Sequence, residues 1–195
     1  MELRNGVKTF YAKSAKHWRA WLAKNHQVEA SVWLIIYKKE SGVATVYYPE
    51  AVDEALCFGW IDSKPNKRDD TSYFQFFSKR KPKSNWSKVN KQKVERLLAE
   101  GRMAPAGLEM VELAKRTGTW NALNEVEDTV MPPDLKAAFA KDKVASANWN
   151  KFPRSSRRGI LEWILNAKRP ETRNKRIEET VRLAAENIRA NYPGG

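Results

Sequence analysis

The chemistry this sequence can support begins where a cationic stretch runs into a helix start, at Lys79-Arg80-Lys81-Pro82-Lys83-Ser84-Asn85-Trp86-Ser87-Lys88. Positive side chains at a helix N-terminus oppose the helix dipole, so their placement asks for a reason beyond solvation. Backbone N–H groups, the Ser84 and Ser87 hydroxyls, the Asn85 amide and the Arg80 guanidinium can converge there on a phosphate or carboxylate. Lys83 adds charge, and Trp86 offers a face for stacking a base. A solvated linker followed by an ordinary serine cap accounts for the same residues without a ligand.

Two other segments carry polar groups in suggestive places. Trp60-Ile61-Asp62-Ser63 sets an acid and a hydroxyl directly after an aromatic strand, as at the rim of a pocket; packing at a helix-to-strand corner is the plainer explanation. Further on, Lys168 and Arg169 close one helix while Pro170 or Thr172 opens the next. Arg173 and Arg176 lie three apart on one helical face, a spacing that lets both hold one anion, or merely coat the surface.

Other chemistries are weaker. Cys57 falls in the last turn of an expected helix between Leu56 and Phe58, where dipole and burial both disfavour a thiolate, so it reads as a small core residue. His17 and His26 form no ligand pattern, and Glu50, Asp53 and Glu54 suit a helix start; no metal and no cofactor is implied. Neither Gly-x-x-x-x-Gly-Lys nor Gly-x-Gly-x-x-Gly occurs, so the familiar phosphate loops are excluded.

The elements that must position these residues are an α+β set. Ser14 caps a helix with Trp18, Trp21 and Leu22 on its apolar side, ending near Asn25. Ser31 to Lys38 reads as a strand, and Glu40-Ser41-Gly42 as a hairpin turn into a second strand over Val43–Tyr48. Pro49 opens a helix that buries Val52, Ala55, Leu56 and Phe58 and stops at Gly59. Residues 60–63 and 73–77 read as strands joined by a polar loop. The expectation is a small antiparallel sheet of about four strands packed with helices, followed by a mostly helical C-terminal half. Ser84 or Ser87 caps a helix with Val94, Leu97 and Leu98 on its apolar side. Further helices are expected near 105–117, 133–141, 143–151, 155–168 and 171–190, the last with Ile177, Val181, Ala184 and Ile188 on one face. The division falls into an α+β domain over 1–103 and a helical region over 104–195 packed on it.

The chain has 195 residues and a formal charge of +13, from 36 Lys+Arg against 23 Asp+Glu. The excess is concentrated: Lys64–Arg102 carries +8 and Arg154–Arg176 carries +6, leaving the rest near neutral. Segregated charge of this kind recruits anions, or simply solubilises. No secretory or membrane-spanning segment stands out, and with a single cysteine the expected compartment is the cytoplasm.

Ala55-Leu56-Cys57-Phe58-Gly59-Trp60-Ile61-Asp62-Ser63, Lys83-Ser84-Asn85-Trp86-Ser87, Gly101-Arg102-Met103 and Ala167-Lys168-Arg169-Pro170-Glu171-Thr172-Arg173 resemble the YdeI/OmpD-associated family of bacterial proteins, from about Phe10 to the last helix. The resemblance implies a link to bacteriocin protection but supplies no catalytic residues. A chain at +13 repels cationic peptides, so such protection would be indirect.

The reading that follows is a non-catalytic module for an anionic ligand (nucleotide, phosphate compound or nucleic acid), with Arg102 joining the residues above as a candidate contact. A structural or protein-interaction factor without a small-molecule site is the first alternative. An enzyme using Asp62 as acid/base, with Ser84 or Ser87 positioning substrate and Arg80 or Arg173 stabilising charge, is the second.

Overall fold

Asn5 and Gly6, at φ of 50° and 75°, turn the chain between β1 (Leu3–Arg4) and β2 (Val7–Tyr11). These are the first elements of the computed structural model, which describes residues 3–191. Ser14 then accepts from the backbone N–H of His17 and starts α1 (Ala15–Asn25), which buries Trp18, Trp21 and Leu22. This helix is the crossover that returns the chain to β3 (Ser31–Tyr37), parallel to β2. The expected strand over Val43–Tyr48 does not form. A single 3₁₀ turn at Lys39–Ser41 and Gly42 at φ 68° lead into irregular chain, and Tyr47 precedes α2 (Tyr48–Cys57). The Glu50 carboxylate accepts from the Tyr47 N–H at 3.2 Å, the reach-back half of a capping box.

Gly59, at φ 71°, turns α2 into β4 (Trp60–Lys67), which pairs antiparallel with β5 (Ser72–Lys79). The register slips between Asp62 and Pro65, a bulge where proline cannot donate to the ladder. The sheet has five strands in the order β1-β2-β3-β5-β4 and is mixed, not antiparallel throughout, because β2 runs parallel to β3. Val32, Leu34 and Ile36 alternate onto the side that meets Phe77 and the helices, as a period of two requires. Ser87 caps α3 (Lys88–Ala99), which buries Val94 and Leu97 and leaves Leu98 exposed, and α4 (Pro105–Thr117) joins the same core through Val111 and Ala114. Trp18, Trp60 and Trp86 are its largest fully buried side chains.

The chain divides into two compact units after Asn121, so α4 belongs to the first unit and the boundary expected at 103 falls inside it. The second unit, Ala122–Gly195, consists over its described residues of α5 (Asn124–Glu127), α6 (Pro133–Phe139), α7 (Lys143–Lys151), α8 (Arg154–Leu165) and α9 (Pro170–Ala185). Leu135, Phe139, Trp149, Ile160, Ile164, Ile177 and Ala184 make its core. Helix α9 ends before Ile188, which is left partly exposed, and Thr180 turns inward instead, its hydroxyl donating to the Arg176 carbonyl. The architecture is α+β, with the helices weighted towards the C-terminal half.

Candidate functional site

Arg80 follows the last residue of β5, and its backbone N–H donates to the Gly59 carbonyl at 2.9 Å. That bond fixes it beside the helix-to-strand corner, at 5% exposure. Its guanidinium lies over the Trp86 ring, 3.7 Å from the centroid, and Nη2 donates to the Asn85 carbonyl. Nε is buried with no acceptor, and among the described residues no carboxylate comes within ion-pair distance of the guanidinium. Loss of hydration brings its pKa down to about 10, an effect the Asp62 carboxylate partly opposes, so the cation persists at neutral pH. Arg80 lines a recess of about 280 Å³ together with Trp60, Gly59, His26, Lys79 and Ala106. The Trp60 indole donates to the His26 carbonyl, and Lys79 donates to that of Gln27, so these lining residues are tied to one another. His26 Nδ1 donates to the Leu22 carbonyl, since a carbonyl only accepts, which leaves Nε2 as the ring nitrogen for a ligand.

The rest of the cationic segment serves the chain itself. Ser84 closes a turn on the Lys81 carbonyl, Ser87 is the α3 cap, Trp86 packs on Trp120, and Lys83 is exposed. Arg102 belongs elsewhere. It donates to Glu54 and Glu100 at 2.7 and 2.8 Å, while Arg19 donates to the other Glu54 oxygen and to the Arg102 carbonyl. Glu54, on α2 and 5% exposed, is thus clamped by two arginines, with Cys57 one turn on. Burial pushes the Cys57 thiol up, and the nearby Glu54 adds to this against the pull of Arg19.

Asp62 accepts from the Tyr48 hydroxyl at 2.7 Å. Beside that pair, Ser63, Pro65, Tyr73, Gln75 and Tyr48 line a second recess of about 430 Å³ at the β4 bulge.

In the second unit, Arg173 forms a two-pronged pair with Asp134 at 2.6 and 2.9 Å, which holds that carboxyl below its ordinary range. Arg176 lies over Trp163 and donates to its carbonyl. Lys168, Thr172 and Arg176 line a shallow recess with Asn166 and Arg169. Among the described residues no group of histidines, cysteines and carboxylates can hold a metal, and no helix is long and apolar enough to cross a membrane.

A family model described as a domain of unknown function, DUF8412, matches residues 10–110, just over half of the chain. The chain belongs to this family. The DUF8412 match holds the Arg80 recess, the Glu54 clamp and the Tyr48–Asp62 pair. A second model, described as bacteriocin-protection, YdeI or OmpD-associated, matches residues 128–187. The resemblance drawn from the sequence therefore stands over that stretch, where Ala167–Arg173 lies, while the motifs at 55–63, 83–87 and 101–103 fall in the DUF8412 match. A search of curated proteins and of solved structures finds no match.

Sequence reasoning left His26, Gly59 and Lys79 off the DUF8412 recess. Gly59 carried a signal: Cβ there would meet Met110 Cγ at 2.8 Å and the Ala106 carbonyl at 3.0 Å, so the stop signal of α2 also marks a close approach by α4.

Proposed function

We propose that the first unit is a non-catalytic binding module that takes a small phosphate or carboxylate compound in the recess at Arg80. The observation that carries this reading is a guanidinium at 5% exposure with no carboxylate partner and one orphaned N–H. A buried cation left without a counter-ion is costly, and natural cores keep one where a ligand supplies the missing charge. Lys79 adds a second cation and His26 a ring nitrogen to the same wall. Glu109 also lines the recess and is exposed, so water screens its charge from the buried Arg80. A recess of about 280 Å³ suits a phosphate-sized group better than a polymer, which favours a metabolite over nucleic acid. A protective role of the kind named in the second matching family would then run through the bound compound, because a chain at +13 repels cationic peptides.

Calorimetric titration with inorganic phosphate and with glycerol 3-phosphate tests the reading. The wild-type chain binds at least one of them, and Arg80→Met, which keeps the volume over Trp86 and deletes the charge, loses about tenfold or more, the worth of one charged hydrogen bond. Equal binding by the two proteins, or none by the wild type, ends the proposal. Circular dichroism and melting of Arg80→Met, expected within a few degrees of the wild type, separate lost binding from lost folding.

A further inference from the structure

The recess at the β4 bulge is distinct from the one at Arg80 and has opposite chemistry. Its walls are Tyr48, Tyr73 and Pro65, and its polar groups are those of Ser63, Gln75 and the neighbouring Asp62. Two of the possible donors are already spent. The Tyr48 hydroxyl donates to Asp62, and the Gln75 amide nitrogen donates to the Ser63 carbonyl, which fixes the amide orientation because that carbonyl only accepts. The Ser63 and Tyr73 hydroxyls can each donate or accept, and two groups can only accept: the second carboxylate oxygen of Asp62 and the amide oxygen of Gln75, neither of which takes a donor among the described residues. Gln75 is 2% exposed, so its oxygen is a nearly enclosed acceptor in the lining of an open recess. A nearly enclosed acceptor with no protein donor, beside aromatic walls, suits a donor carried on an apolar body.

We infer that this recess binds a flat, uncharged aromatic ring bearing an exocyclic amine, of the aminopurine class, with the ring against Tyr48, Tyr73 and Pro65 and the amine shared between Gln75 and Asp62. The volume of about 430 Å³ falls within the roughly 300–1,000 Å³ of small-molecule sites. A sugar ring fits less well, because its hydroxyls surround it and those turned to the ring carbons of Tyr48, Tyr73 and Pro65 would go unmatched, at about 1–3 kcal/mol of desolvation each. The bulge between Asp62 and Pro65 puts both residues on the face shared by their partners Phe77 and Gln75, where a regular ladder would carry one of the two to the other face.

Adenosine, inosine and methyl glucoside, all uncharged, are titrated against the protein by saturation-transfer NMR and calorimetry. Adenosine binds; inosine, which replaces the amine with a carbonyl oxygen, binds about tenfold or more weakly, and the glucoside is weaker still. Asp62→Asn keeps an oxygen for Tyr48 and turns an amide donor to the recess, so the adenosine-to-inosine preference narrows or inverts. Gln75→Leu loses adenosine binding; should that variant fail to fold, Asp62→Asn carries the test alone. No adenosine binding, equal binding of adenosine and inosine, or an unchanged preference in Asp62→Asn overturns the inference. Because none of these probes carries a phosphate, the result stands or falls apart from the anion site at Arg80.

Discussion

Glu54 and Arg80 are equally buried, at 5% exposure each, yet their charges are handled in opposite ways. Glu54 is met on both oxygens by Arg19 and Arg102, each at 2.7 Å. Arg80 has an aromatic face, one backbone carbonyl and an unused N–H. The α2–α4 seam lies between them: the Cys57 carbonyl beside Glu54 accepts from Ala104, and Gly59 beside Arg80 backs onto Ala106. The contrast teaches how to sort buried charges. One whose counter-charge comes from the same chain holds elements together, whereas one left open is a place for something from outside.

The largest effect comes from breaking the closed end. Glu54→Gln leaves Arg19 and Arg102 facing each other across a neutral amide. Removing one partner from a buried pair costs about 3–5 kcal/mol, and here the lower figure applies because both arginines keep a third of their side chains in water. Urea unfolding followed by tryptophan fluorescence reads this, and a loss under about 1 kcal/mol would place Glu54 with ordinary surface pairs and dissolve the contrast. Next is the seam. Gly107→Ala improves helix propensity by about 1 kcal/mol in isolation. On α4, however, the new Cβ would sit 2.7 Å from the Cys57 carbonyl carbon and 2.9 Å from the Leu56 oxygen, with the Cys57 oxygen nearer still. The helices must part, so the sign reverses to a destabilisation of about 1–3 kcal/mol, measured in the same assay. Arg80→Met, at the open end, moves stability least of the three and binding most.

How much of this was legible follows from which signals are local. Ser14, Ser87, Pro105 and Gly59 are punctuation, and the helices and the corner they mark sit where those residues said. The strand expected at Val43–Tyr48 failed because five β-prone residues do not pair unless a neighbour needs them; the β3 edge was taken by Val7–Tyr11, a crossover partner that sequence adjacency cannot reveal. The charge windows misled for a related reason. Counted along the chain, 64–102 and 154–176 look strongly positive. In space Asp53 draws Lys93 and Arg96, Glu54 draws Arg102, Glu127 draws Arg158 and Asp134 draws Arg173, and all four acids come from outside the windows. Arg80, buried and outside any ion pair among the described residues, was among the candidates named from the sequence, but nothing local distinguished it from Arg102 or Arg173. Only the fold shows which carboxylates arrive.

The finest test of the contrast is Asp62, the acid nearest to neutralising Arg80. It is held by Tyr48 instead, and burial followed by that hydrogen bond pushes the Tyr48 phenol up to about 12, from an ordinary value near 10. Because the folded state favours the protonated phenol, the stability this adds is fully present below about pH 10 and fades as pH rises through about 12, with no effect near neutrality. Tyrosinate absorbance should therefore show late titration, to which Tyr73, also raised by burial, contributes; the Tyr48 share is identified by its absence in Tyr48→Phe. In Asp62→Asn it should titrate earlier, though still above the ordinary value, since burial is the larger cause. If Tyr48 titrates like a free tyrosine, Asp62 is not committed to it and can swing to Arg80. The open cation would then be closed from within, like Glu54, and the case for a ligand at that recess would go with it.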